Sequence, residues 1–259
     1  MIKEVKDRGP RRWLINSQGQ TFSVIVPPAE FLMGSPSMET GRRTSDELPH
    51  KVLLKRSFIV ATKEVTREQY ARFVNETRTP EKRNDDYSPD RLGPQVRVTW
   101  FEAAAYCNWL SEKDLGLTAS ECCYERRPKE EYAEAANCLE RPGYRLPTEE
   151  EWEYACRAGA VTSRYYGESP DLLEHYAWYS ENSNDLAQAC GQLIPNDLGL
   201  FDMLGNAFEW CQTREATYRM YRGGAFTFKA PFLRAAYRAG SVPTTSNPNY
   251  GIRLVRTYP

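Results

Sequence analysis

Apolar residues recur at helical spacing in three stretches of the chain, and the same start signal precedes each. Thr66-Arg-Glu-Gln69, Thr99-Trp-Phe-Glu102 and Thr148-Glu-Glu-Glu151 all place a Thr three residues before Gln or Glu. At that spacing the Thr oxygen can accept from the third helical amide while the longer side chain reaches back to the cap amide. The first helix is predicted to run to about residue 75, with Tyr70, Phe73 and Val74 on one face. The second, with Ala103, Cys107 and Leu110 on one face, runs to about residue 113. The third follows Pro147, carries Trp152, Ala155 and Cys156 on one face, and has Gly159 as its stop.

Elsewhere the pattern is of short apolar runs between polar stretches. Segments 31–33, 52–54, 57–60, 220–222 and 252–255 are predicted strands. Residues 79–95 read as a loop, 112–141 as a mostly polar insertion, and 159–204 as a long segment with little regular structure. Long irregular segments in a compact domain are usually functional or pinned by side-chain networks. Six Trp and 16 Tyr can supply such pins. No internal repeat emerges. The chain therefore reads as an N-terminal arm, 1–21, and one α+β domain, 22–259.

Composition changes this picture mainly by exclusion. With 41% hydrophobic and 27% charged residues and 259 positions, the chain can bury a sizeable core. No apolar run approaches the roughly 18 residues of a membrane span, and Met1-Ile-Lys-Glu-Val-Lys-Asp-Arg8 is too charged for a signal peptide. The net charge of -1 gives no basic face for nucleic acid. Seven cysteines and no Cys-x-x-Cys point to reduced thiols in a cytoplasmic protein, with Cys122-Cys123 in a loop. His50 and His175 are too few for a multi-histidine metal centre and read as structural rather than as general bases. The carboxylate run 149–151 is explained by the positive end of a helix dipole.

Several longer motifs occur in a fixed order. Phe31-Leu-Met-Gly-Ser35, Glu47-Leu-Pro-His50, Lys63-Glu-Val-Thr-Arg-Glu-Gln-Tyr70 and Val98-Thr-Trp-Phe-Glu-Ala-Ala-Ala-Tyr-Cys107 come first. Tyr144-Arg-Leu-Pro-Thr-Glu-Glu-Glu-Trp-Glu-Tyr-Ala155 and Asn196-Asp-Leu-Gly-Leu-Phe-Asp-Met-Leu-Gly-Asn-Ala-Phe-Glu-Trp210 follow. Arg222-Gly-Gly-Ala225, Leu233-Arg-Ala-Ala-Tyr-Arg238 and Gly251-Ile-Arg253 close the series. Most of these have a structural logic: Gly223 and Gly224 allow close backbone approach, Gly205-Asn206 is a turn, and Glu209-Trp210 pairs a buried ring with a hydrogen-bonded acid. Together, over roughly residues 22–256, the series resembles the sulfatase-modifying-factor family, typified by formylglycine-generating enzyme. The resemblance implies a C-type-lectin-like fold with few short strands, about three main helices and many long loops.

The resemblance also implies what the site should contain. Enzymes of the family bind copper(I) through a Cys-x4-Cys pair near the C-terminus. The matching positions here are Ala230 and Ala235, and no cysteine follows Cys211. Copper(I) needs soft thiolates, so no copper and no formylglycine chemistry are expected, and an iron branch using three histidines fails on count. A formylglycine-generating-type oxidase or another metal-dependent oxidoreductase with a non-standard site is the enzymatic alternative. The family's structural Ca²⁺ sites match Asp202, the main chain at Leu204, Asn206 and, more weakly, Asn182. The alternative is that Asp202 and Asn206 only cap turns.

The family's working surface falls on residues 225–250. Thr227, Phe228, Lys229, Tyr237, Ser241, Thr244, Thr245, Asn247, Asn249 and Tyr250 are the expected ligand-binding residues, a mixture of rings, hydroxyls and amides suited to recognition. A protein or peptide ligand is expected rather than a carbohydrate, because the chain has no Glu-Pro-Asn loop. One reading is a non-catalytic recognition module of a bacterial signalling or defence system. The other is a variable ligand-binding protein of a diversity-generating retroelement, which Gly251-Ile-Arg-Leu-Val255 resembles in its ending.

Overall fold

The computed structural model describes residues 3–5, 12–26, 29–43, 45–80, 84–127 and 132–258. Parts of the expected loop 79–95 and insertion 112–141 lie outside them. A six-stranded sheet runs β1 (Lys3–Val5), β2 (Trp13–Ile15), β3 (Thr21–Ile25), β6 (Phe58–Ala61), β14 (Val255–Thr257), β9 (Tyr144–Arg145). β4 (Ala29–Met33) and β5 (His50–Leu54) form one antiparallel pair, β7 (Tyr124–Glu125) and β8 (Ala133–Glu134) another. The second large sheet runs β12 (Arg238–Ser241), β11 (Tyr218–Arg222), β10 (Phe208–Glu215), β13 (Tyr250–Gly251).

β6 explains where the core sits. All four of its residues are buried, as expected of a strand covered on both faces. Ile59 and Ala61 pack with Phe22, Phe73, Trp100, Tyr106 and Leu254 under α1 (Arg67–Thr77) and α2 (Trp100–Leu115). Phe58 and Val60 pack on the opposite face with Trp152 of α3 (Glu149–Arg157), Leu173, Leu200 and Met203. The irregular segment 159–204 thus serves as the second covering layer, relieved only by a 3₁₀ turn, Pro170–His175.

All three capping boxes form as the spacing predicted, at Thr66 with Gln69, Thr99 with Glu102 and Thr148 with Glu151. The first two helices end slightly beyond the expected points and the third just before Gly159, each at a residue in the left-handed region: Arg78, Gly116 and Ala158. The helix-dipole reading of residues 149–151 is incomplete. Glu151 also receives two bonds from buried Arg145, at 2.6 and 2.7 Å, and Glu149 receives Arg238.

One expected strand is corrected and another strand goes unpredicted. Within the expected arm 1–21, the described strand β1 pairs antiparallel with β2, and β2 with β3. Residues 252–255 are not one strand. Tyr250 and Gly251 lie beside β10, Val255 pairs with Val60 of β6, and the chain between them crosses from one sheet to the other. The crossing is fixed by Arg253, whose buried guanidinium needs the buried carboxylate of Glu209. β10, the longest strand, goes unpredicted because its first five residues are all buried and show no alternation. Among the described residues no helix is long and apolar enough to cross a membrane.

Candidate functional site

The register of the second sheet places Phe208, Trp210, Tyr221 and Tyr250 on one face. Trp210 stands opposite Tyr221, which stands opposite Ala239, and Phe208 stands opposite Tyr250. Arg222, one position on from Tyr221, points the other way and binds Glu153 of α3, so Tyr221 must face away from the core between sheet and helix. Tyr221, Trp210 and Phe208 surround Tyr250 with centroids 4.6, 4.8 and 6.3 Å away. Phe228 meets Phe208 edge-on at 4.7 Å, and Phe232 touches both Phe228 and Tyr237 at 5.7 and 5.4 Å. The cluster reaches solvent through Phe232, which is 40% exposed.

Two loops frame this face. The segment after Gly223 and Gly224 turns sharply: both glycines have positive φ, and a Cβ on Gly224 would stand 2.8 Å from Leu233. It then carries Thr227 and Lys229 into solvent before the 3₁₀ turn Ala230–Phe232. The second loop closes on itself, with Asn247 Oδ1 accepting from the Asn249 amide at 2.9 Å and Thr245 N donating to Val242 O. Thr227 Oγ1 donates to Asn249 Oδ1 at 3.0 Å and ties the two loops together.

The structure therefore brings Thr227, Phe228, Tyr237, Asn249 and Tyr250 around Phe208, with Lys229 at the margin. Ser241, Thr244 and Thr245 form a separate turn next to the start of α2, where Trp100 N donates to Pro243 O. Tyr237 and Tyr250 are only 6% and 8% exposed. They are the floor of the face rather than its exposed anchors, because the flanking rings cover them. Burial raises the hydroxyl pKa of Tyr221, with Tyr250 beside it adding to the effect. Tyr237 is raised by burial, opposed by Arg43. Phe208, Trp210, Tyr221 and Phe232 were missed as site residues. Alternation about Arg222 and Glu209, once each is recognised as buried in its own ion pair, with Glu153 and Arg253 respectively, would have pointed to Tyr221, Phe208 and Trp210.

The matching copper positions hold no metal-binding group. Ala235 is buried, its amide donating to Ser163 O and its carbonyl accepting from Arg222. His50 and His175 are on the surface.

The residues expected to hold calcium do not form an oxygen cage. Asn182 Oδ1 accepts from Tyr179 N at 2.8 Å and its amide donates to Ala177 O, closing a turn. Asn206 Oδ1 accepts from Gln188 N at 2.9 Å, while its amide donates to Glu64 Oε2 at 2.8 Å. Leu204 is wholly buried. Asp202 retains an unused side-chain oxygen: Oδ2 accepts from Gly191 N at 2.6 Å, and Oδ1 has no partner. Its neighbours are Glu64 and Cys190, and a thiol is not a calcium ligand.

A sequence profile of the sulfatase-modifying factor enzyme 1-like domain matches residues 15–258. Chaperone protein LppX of Paenibacillus barcinonensis is 29% identical over 63% of this chain and 70% of its own. Serine/threonine-protein kinase pkn1 of Chlamydia pneumoniae is 27% identical over 91% of this chain, which spans only 38% of the kinase. Among solved structures, Treponema denticola variable protein 1 superposes with a TM-score of 0.78 over 100% of this chain and 99% of its own, at 23% identity.

Proposed function

The chain belongs to the family of sulfatase-modifying factor enzyme 1-like domains, and from that premise we propose that it is a non-catalytic recognition domain holding a protein or peptide on the aromatic face of its second sheet. The observation that carries this reading is the ring cluster that surfaces at Phe232, framed by two loops that the Thr227–Asn249 hydrogen bond joins. Rings offer contact area at low entropic cost, and hydroxyls and amides adapt to varied partners. Ala230 and Ala235 at the copper positions argue against oxidase chemistry. Seven free thiols suit a reducing, cytoplasmic compartment. The similarity to a protein kinase several times as long as a single domain fits a module of a bacterial signalling assembly.

A second reading, a variable protein of a diversity-generating retroelement, is favoured by Gly251-Ile-Arg-Leu-Val255 and by the full-length likeness in fold to a variable protein. Sequencing the DNA beside the gene decides between them. A near-copy of the 3′ coding end next to a reverse transcriptase supports the second, and its absence removes it.

Recognition itself is tested by affinity capture from the native cell lysate, with wild type beside a Phe232→Asp, Thr227→Asp double variant of verified fold. Both positions are exposed, but Phe232 also packs on Phe228 and Tyr237 and Thr227 bonds Asn249, so the verified fold is what makes lost capture a loss of contact. Partners held by wild type should be lost from the variant. Equal capture by both places recognition elsewhere and overturns the reading.

A further inference from the structure

Glu64 meets Cys190 and Asp202, both of the irregular segment 159–204, in the interior, with one donor atom from each lying within 4.8 Å of the others. Cys190 Sγ is 3.2 Å from Glu64 Oε2. Donors placed tetrahedrally about 2.0–2.3 Å from one ion lie about 3.5 Å apart, so the cluster needs only a small contraction to share a ligand. Asp202 is 2% exposed and its Oδ1 is unpartnered. A buried carboxylate oxygen without a partner is costly, and in a native protein it calls for an explanation such as an ion.

The surrounding charges do not supply that partner. Arg253 is committed to Glu209, to Ala61 O and to Phe201 O. Lys63 lies over the Phe201 ring at 5.5 Å. Burial, followed by the neighbouring carboxylates, raises Glu64 well above its usual pKa, and burial pushes Asp202 up to about 6. Burial likewise raises the Cys190 thiol. Meanwhile the ligand atoms are already oriented: Glu64 Oε1 accepts from Ala207 N at 3.0 Å, Oε2 from Asn206 Nδ2, and Asp202 Oδ2 from Gly191 N. Fixed outer hydrogen bonds of this kind are what hold metal ligands in place. A cavity of about 320 Å³, lined by Glu64, Cys190, Lys63, Thr62 and Gln20, gives a way in.

We infer that Glu64, Cys190 and Asp202 form a binding site for one divalent transition-metal ion of the zinc class. One thiolate and two carboxylates suit a borderline ion better than calcium. The Cys190 thiol gives up its proton to water as it binds the ion. Three protein ligands leave a fourth position for water. The site stands apart from the aromatic face and does not depend on its role in recognition.

The test uses the full chain, stripped with chelator, dialysed and titrated with Co²⁺, whose bond to a thiolate gives a charge-transfer band in the near ultraviolet. Wild type should saturate at one ion per chain with that band present, and Zn²⁺ should displace the cobalt and abolish it. Cys190→Ala should lose the band, whereas Cys156→Ala, at a buried thiol outside the cluster, should keep it. The near-isosteric Asp202→Asn should weaken binding by at least about tenfold, and it decides the matter if Cys190→Ala does not fold. No saturable band in wild type, a band that survives Cys190→Ala, undiminished affinity in Asp202→Asn, or calcium that displaces the cobalt would each overturn the inference.

Discussion

Replacing Arg253 by Met tests the idea that buried ion pairs, rather than sheet pairing, hold the two halves of the fold together. Arg253 is fully buried and donates through Nε to both Glu209 oxygens at 2.8 and 2.9 Å. It also bridges to Ala61 O on β6 and to Phe201 O in the irregular layer, at 2.9 and 2.7 Å. Without it, Glu209 keeps only the Trp152 indole, at 2.6 Å, and faces Glu64 and Asp202 with no guanidinium between them. Breaking one side of a buried pair costs about 3–5 kcal/mol, a large part of the roughly 5–15 kcal/mol that stabilises a typical domain. For a chain of this size that is a fall of roughly 6–20 °C in melting temperature. Urea titration followed by tryptophan fluorescence measures the loss. Arg253→Met with Glu209→Gln should recover much of it, since the second change removes the stranded charge. A loss below about 1 kcal/mol, or a double variant no better than the single, would refute the argument.

Two further outcomes follow from the same structure. Thr99→Ala removes the cap of α2, the helix at the centre of the larger core, and should cost about 1 kcal/mol in urea titration, while Thr99→Ser should be nearly neutral; equal loss in both would show that the hydroxyl bond to the Glu102 amide is not the cause. Incubated with copper(I) and a Cys-x-Pro-x-Arg peptide, the protein should yield no aldehyde by mass spectrometry beyond a metal-only control, because Ala230 and Ala235 offer no thiolate; turnover would contradict that.

The helices were legible because their signals are local. A Thr and a Gln or Glu three residues apart carry all the information a capping box needs, and all three formed. The strands were partly legible: the 31–33, 52–54 and 57–60 runs lie in β4, β5 and β6, where a short apolar run between polar segments is a sufficient sign. β10 was hidden because a strand buried on both faces loses its alternation, and β2 because Trp13–Ile15 is three residues after a highly charged start. The aromatic face was half legible. Phe228, Tyr237 and Tyr250 fall in the expected segment, but Phe208, Trp210 and Tyr221 join them only through pairing between distant strands. The Glu64–Cys190–Asp202 cluster was not legible as a unit, since Glu64 lies more than 100 residues before Cys190 and Asp202 and nothing in the spacing links it to them.

The arrangement of ion pairs also explains how residues 225–250 can serve as a contact surface without weakening the fold. Four arginines of the last forty residues reach back to acids placed earlier: Arg222 to Glu153, Arg234 to Glu39 and Glu47, Arg238 to Glu149, and Arg253 to Glu209. Each is a charge-assisted contact, and those of Arg222, Arg234 and Arg253 are buried, so each pins the backbone at one point. Between these points the chain need not be regular to stay in place. Thr227 and Lys229 lie between Arg222 and Arg234, and Thr244 lies between Arg238 and Arg253, all exposed. Substitutions at such positions leave the pinning contacts intact, so contact chemistry can change there while the rings of Phe208, Trp210 and Tyr250 keep the floor beneath it fixed.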